Sequence, residues 1–260
     1  DYKLEPNIKT SPGGLRDIQT TLWVCSRRYG TTNIDQLVTL GVLSTTEARW
    51  LNDGRRFLWW VRYGLHSLAG RKEDQLHFAR QRELSQRLGF MDTESKSAVE
   101  LFMQHYYRHV MALSDVNDIV LQHFQEDMTA KKRPSLERLN DRFRLINRRI
   151  DITEPDVFLR NPSAMLEMFF LMAQREENIR VRVRTIRALR EAVHLIDDDF
   201  RCDPENCRLF LSILKSPYTV VTQLTLMRRY GVLGRYLPAF GDIVGQMQHD
   251  LFHIYTVDAH

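Results

Sequence analysis

Val99-Glu100-Leu101-Phe102-Met103-Gln104-His105-Tyr106-Tyr107-Arg108-His109-Val110-Met111-Ala112-Leu113 places large apolar side chains at 99, 102, 103, 106, 110 and 113. Steps of three and four residues gather on one face only in an α-helix. Val116, Val120 and Phe124 continue the stripe, so one helix is expected from about Asp92 to Asp127. A helix that long packs antiparallel against neighbours in a bundle. The expected class is therefore all-α.

Upstream, Ser11 and Pro12 suit a helix start, with Leu15, Ile18, Leu22 and Cys25 at helical spacing and Gly30 as the stop. Ser44 opens a second helix whose apolar face runs from Leu51 to Leu68, ending near Gly70, and a third covers about Phe78 to Leu88. Downstream, Lys131-Lys132-Arg133-Pro134 reads as an exposed loop. Over 142–153 the period changes to two: Phe143, Leu145, Ile150 and Ile152 alternate with polar residues around Asn147-Arg148, which predicts one small β-hairpin. Helix resumes after Asn161-Pro162, with Met165, Met168, Phe169 and Met172 facing inward. The next helix has Arg180, Arg184 and Arg187 on one side and Val183, Ile186, Leu189 and Val193 on the other. Pro204, Pro217 and Pro238 mark further short helices.

With 260 residues, 43% hydrophobic, the chain can bury a real core in one or two domains. Thirty-seven Lys and Arg against 33 Asp and Glu leave a net charge of +4, too small to specify a partner when spread evenly. The three cysteines, Cys25, Cys202 and Cys207, form no CxxC pair and read as incidental thiols of a reducing compartment. No apolar run approaches membrane-spanning length, so the expectation is a cytoplasmic protein with no membrane partner.

Five features carry possible chemistry. Lys9, with Gly13-Gly14 at a helix start and Arg16 and Asp17 just beyond, could cradle a phosphate, because a helix N-terminus offers free N–H groups and partial positive charge. The same residues equally describe a tight turn in which glycine serves packing. His105 and His109, one turn apart, lack further ligands and read as helix-surface histidines. Arg71 and Asp74 read as a surface ion pair. The cluster Lys131, Lys132, Arg133, Arg138, Arg142, Arg144, Arg148 and Arg149, with only Glu137 and Asp141 nearby in sequence, suits an electrostatic role towards another domain or partner. It has no aromatic interleaving for nucleic acid, and no nucleic-acid partner is expected. The His249-Asp250 dipeptide has too few companions for a metal site.

Several strings together resemble the bifunctional uridylyltransferase/uridylyl-removing family of bacterial nitrogen control. They are Leu4-Glu5-Pro6-Asn7-Ile8-Lys9 with Pro12-Gly13-Gly14-Leu15-Arg16-Asp17-Ile18-Gln19; Gly70-Arg71 with Asp74, Phe78 and Gln81; Tyr106-Tyr107-Arg108; and Gln248 through His260. The resemblance implies a helical bundle of the nucleotidyltransferase-associated type. It also implies an organisation: residues 1–10 as the exit strand of an upstream nucleotidyltransferase domain, 11–130 as a helical bundle, 131–246 as a second helical part with the hairpin, and 247–260 as the start of a truncated HD phosphohydrolase domain. His260 corresponds to that domain's first metal histidine.

By the same resemblance Lys9, Gly13, Gly14, Arg16 and Asp17 either shape the nucleotide site or seat the helical domain on it. The family's paired aspartates that hold Mg²⁺ are absent from these residues. The chain is thus expected to be a central segment of an enzyme, inactive alone and without a cofactor of its own. It would position the PII signal protein and UTP at one catalytic domain and link it to the other, with glutamine acting through the parent. The rivals are a glutamine-synthetase adenylyltransferase-like helical domain, against which the HD-like end argues, and a non-catalytic helical interaction module.

Overall fold

The computed structural model describes residues 4–129, 134–247 and 256–259. Five helices come first: α1 Leu15–Tyr29, α2 Ile34–Thr39, α3 Thr45–Ala69, α4 Phe78–Arg87 and α5 Ala98–Thr129. Strands β1 Leu136–Arg138, β2 Phe143–Ile146 and β3 Arg149–Ile152 follow, then α6 Val157–Arg160, α7 Ala164–Ala173 and strand β4 Arg180–Val181. The remainder is helical: α8 Val183–Ala192, α9 Asp198–Cys202, α10 Pro204–Leu214, α11 Val220–Arg229, α12 Val232–Tyr236 and α13 Pro238–Ile243. Short 3₁₀ turns lie at Val193–Leu195 and Val257–Ala259.

Two compact units divide the chain. One is Asp1–His123 with Ile243–His260; the other is Phe124–Asp242. In the first, α3 packs on α1, α2 and α4. Leu51, Leu58, Val61 and Leu65 of α3 are fully buried, as are Phe102, Tyr106, Tyr107 and Val110 of α5. Each such side chain contributes about 1.5–3 kcal/mol of transfer free energy. Ser44 begins α3 as expected: its hydroxyl accepts from Glu47 N–H while Glu47 accepts from Ser44 N–H at 2.8 Å. That reciprocal cap stabilises the helix by about 1 kcal/mol.

The chain is mostly helical, as expected, but the second unit holds more than the one small hairpin of the all-α expectation. The hairpin is present, with Asn147 and Arg148 both at positive φ (50° and 61°), the two central residues of a two-residue turn. It belongs, however, to a four-stranded sheet ordered β1-β2-β3-β4, antiparallel except where β4 runs parallel to β3. Arg180 is accordingly in a strand, and the helix once expected to carry it begins at Val183. Phe143, Ile150 and Ile152 of the sheet are buried, and so are Met165, Met168, Phe169 and Met172 of α7.

Two helix starts also move. α1 begins at Leu15, since Ser11 Oγ accepts from Asn7 N–H at 2.9 Å and Gly14 takes the cap position. α5 begins at Ala98, whose N–H donates to Asp92 Oδ1 at 2.7 Å, so 92–97 form a cap segment instead of a first turn.

Candidate functional site

Residues 4–17 form a closed turn built almost entirely from their own polar groups. Asn7 Oδ1 accepts from Lys9 N–H at 3.1 Å and Thr10 N–H at 2.9 Å. Leu15 N–H donates to Ile8 C=O (3.1 Å), Arg16 N–H to Lys9 C=O (2.9 Å) and Asp17 N–H to Gly14 C=O (3.0 Å). Gly13 N–H donates to Asp17 Oδ2 at 2.7 Å. The amides that a helix start ordinarily offers an anion are therefore engaged inside the turn.

Glycine is required here for two different reasons. Gly13 has φ +73°, and a Cβ there would lie 1.8 Å from the carbonyl oxygen of Val110 on α5. Gly14 has an ordinary extended φ, but its Cβ would come within 2.8 Å of Ile8 and Ser11 carbonyl oxygens. The turn thus rests on the α5 backbone with no room for a methyl group.

A second contact set ties the turn to residues 74–81. Ile8 N–H donates to Asp74 C=O (2.8 Å) and Leu76 N–H to Pro6 C=O (2.9 Å). Glu5 Oε1 accepts from Phe78 N–H at 2.7 Å, capping α4, and Gln81 Nε2 donates to Leu4 C=O at 2.7 Å. Asp74 is fixed from α3: Arg62 Nε donates to it at 2.7 Å and His66 Nε2 lies 3.2 Å away. Burial alone would raise the Asp74 pKa, but hydrogen bonds from Arg62 and His66 outweigh it and hold the carboxyl below its usual range. The expected Arg71–Asp74 pair is not formed; Arg71 faces Glu73 at 3.4 Å. The 4–17 string and the Asp74, Phe78 and Gln81 string, separate in sequence, meet at this one place.

The candidate residues thus divide by role. Gly13, Gly14 and Asp17 are internal to the turn. Lys9 is half-buried and Arg16 exposed, and among the described residues neither side chain has a hydrogen-bond or ion-pair partner. These two cations are what the turn presents outward. Sequence reasoning missed Glu5 as the α4 cap, because a contact spanning 73 positions leaves no local pattern.

His105 and His109 bond to each other, Nε2 to Nε2 at 3.0 Å, and both rings lie on Phe57, with centroids 4.8 and 4.5 Å away. Burial lowers the His105 pKa, with Arg108 adding to the effect. Burial, then the His105 charge, push His109 down to about 4 against an opposing effect of Asp53. Among the described residues no three His, Cys, Asp or Glu side chains are grouped to hold a metal ion. His249, Asp250 and His260 lie outside the described residues, as do Lys131, Lys132 and Arg133.

Four arginines of the remaining basic strip are ion-paired. Arg138 pairs with Asp141 (2.5 Å), Arg142 with Glu167 (2.7 Å), Arg144 with Asp151 (3.3 Å) and Arg148 with Glu177 (2.5 Å). No helix among the described residues is long and apolar enough to cross a membrane.

Comparison with known proteins places these strings in context. The family described as GlnD PII-uridylyltransferase matches residues 1–121, and that described as Uridylyltransferase GlnD third domain matches 143–236. A bifunctional uridylyltransferase/uridylyl-removing enzyme of Pseudomonas aeruginosa is 53% identical over 261 residues. Those of Pseudomonas putida and Pseudomonas savastanoi pv. phaseolicola are 54% and 52% identical. Each match covers 100% of this chain and 29% of the relative, so the chain spans under a third of the length of these enzymes. No solved structure matches.

Proposed function

Because the chain belongs to the bifunctional uridylyltransferase/uridylyl-removing family, we propose that it is the central helical segment of such an enzyme. In this reading it positions the PII protein and UTP at a nucleotidyltransferase domain and links that domain to the uridylyl-removing one, in the bacterial cytoplasm. The observation carrying the reading is the match along the whole chain to under a third of each relative. The description those relatives carry also favours it over an adenylyltransferase-like or purely interacting helical domain.

Where the parent uses Mg²⁺ to neutralise UTP phosphates, carboxylates elsewhere in the polypeptide hold the ion. Glutamine, too, acts through other parts of the parent. What this segment contributes is placement. Lys9 and Arg16 project from a turn that cannot yield, because Gly13 meets Val110 and residues 5–8 are bonded to 74–78. Two cations on so fixed a base suit the phosphates of UTP or an acidic edge of the catalytic domain.

The test uses the full-length enzyme carrying Lys9→Ala and Arg16→Ala. Nucleotide positioning predicts a KM for UTP raised about tenfold, the loss of one charge-assisted contact, with uridylyl removal unchanged. An unchanged KM for UTP ends the nucleotide reading and leaves only domain seating. The 260-residue chain by itself is expected to transfer no uridylyl group to PII; transfer near the full enzyme's rate would overturn the proposal.

A further inference from the structure

We propose that one face of the sheet, centred on Arg149, Arg180 and Arg182, is a docking surface for an acidic segment of a protein partner. The inference goes beyond the catalytic parent's reaction and does not depend on it. It starts from a local charge imbalance. Asp151 is fully buried and is consumed by Arg184, which grips it through two 2.6 Å bonds, and by Arg144 at 3.3 Å; Arg182 is no closer than 3.9 Å. The other carboxylate, Glu126 near the end of α5, serves three positive ends at once. It accepts from Arg182 Nε at 3.2 Å, caps α8 by accepting from Val183 N–H at 3.1 Å, and lies 3.6 Å from Arg149.

Arg149 is the group left short. Among the described residues the charges of Glu126, Arg180 and Arg182 act on it, and its buried Nη1 has no hydrogen-bond partner. Its Nη2 donates to Gln125 Oε1 at 3.2 Å. Arg180 is exposed and has no ion-pair or hydrogen-bond partner for its side chain among the described residues. Arg149 and Arg180 are cross-strand partners on β3 and β4, and like charges so placed are eased by a further anion beside Glu126.

The layout favours a protein segment over a free phosphate. The α8 N-terminal amide that could serve a phosphate is occupied by Glu126. Leu136, Ile146, Arg149 and Arg180 stand opposite one another across successive strands, so they form a single row on one sheet face. Leu136 is exposed and Ile146 half-buried. A row of two apolar residues leading to two guanidiniums complements an extended segment whose carboxylates lie beside apolar side chains.

The experiment titrates the 260-residue chain against a fluorescein-labelled hexaglutamate peptide, following anisotropy at about 0.1 M salt, where exposed charges more than a Debye length apart are screened. Inorganic phosphate is added as competitor. The variants are Arg180→Glu and, as control, Arg148→Glu, whose exposed Glu177 pair is outside the row; circular dichroism checks that both fold. The expected result is binding that Arg180→Glu weakens about tenfold or more and Arg148→Glu weakens less than twofold. No binding, equal weakening by both variants, or displacement by phosphate at concentrations matching the peptide would overturn the proposal, the last by marking an oxyanion site instead.

Discussion

The turn at 4–17 and the centre around Asp151 are both places where many polar groups are taken out of water, and they are held by different forces. In the turn, the pairs are mostly backbone to backbone, and specificity is steric: Gly13 against Val110, Gly14 among three carbonyl oxygens. Around Asp151, the pairs are ionic, three arginines (Arg144, Arg182 and Arg184) reach it from β2 and the start of α8, and specificity is electrostatic. A steric device tolerates salt and pH but not one added methyl group. An ionic device tolerates side-chain movement but not loss of one charge.

Tryptophan offers a way to separate the two. All four, Trp23, Trp50, Trp59 and Trp60, belong to the unit containing the turn. Their fluorescence therefore reports that unit, while far-ultraviolet circular dichroism reports both. The largest effect is expected from Gly13→Ala. Overpacking of about 1–3 kcal/mol adds to about 1–2 kcal/mol for a non-glycine residue in left-handed backbone. Urea unfolding should show the tryptophan transition lowered accordingly, with the other unit's transition in place. A shift under 1 kcal/mol would show that α5 gives way and that the turn is not sterically fixed.

Next comes Asp151→Asn, which leaves Arg184, Arg144 and Arg182 facing an uncharged amide. Breaking a buried pair costs about 3–5 kcal/mol, towards the lower end here because the arginines reach solvent. The dichroism transition of the Phe124–Asp242 unit should fall while the tryptophan midpoint holds. If both fall together, the two units unfold as one and the contrast fails.

The smallest effect concerns pH. An unfolded histidine titrates near 6.5, whereas burial and the His105 charge bring His109 to about 4 in the fold. Between those values the unfolded chain binds a proton that the folded chain refuses. The contribution to stability is thus complete above about pH 6.5 and is lost as pH falls towards 4. The tryptophan midpoint should decline through that window, and His109→Phe, which keeps the stack on Phe57, should flatten the decline. An unchanged slope would show that the histidine pair on Phe57 does not set the pH dependence.

Much of the helical frame was legible because its signals are local. Ser44 with Glu47, the stops at Gly30 and Gly70, and the three-four spacing along α5 each act within a turn or two of helix. The hairpin was legible through its alternation and its turn. β1 and β4 were not: at three and two residues they are too short to show a period, and Leu136 is exposed. The pairing of the basic strip was not legible locally, because Glu126, Glu167 and Glu177 lie outside it in sequence and Asp151 meets Arg144 across β2 and β3. At the turn, the residues that matter were visible as a string, but sequence could not tell packing from ligand contact. Which amides are already engaged is a property of the folded backbone.

The returning segment has a consequence for biosynthesis. Gln104 Nε2 and Arg108 Nε both donate to Val244 C=O, Val257 N–H to Gln246 C=O, and Gly245 N–H to Asp258. The first unit is therefore discontinuous, with the whole of Phe124–Asp242 intervening between its parts. On a translating ribosome the interior unit emerges intact before its host can close. For a time the nascent polypeptide must keep α5 waiting for a strap that has yet to be made.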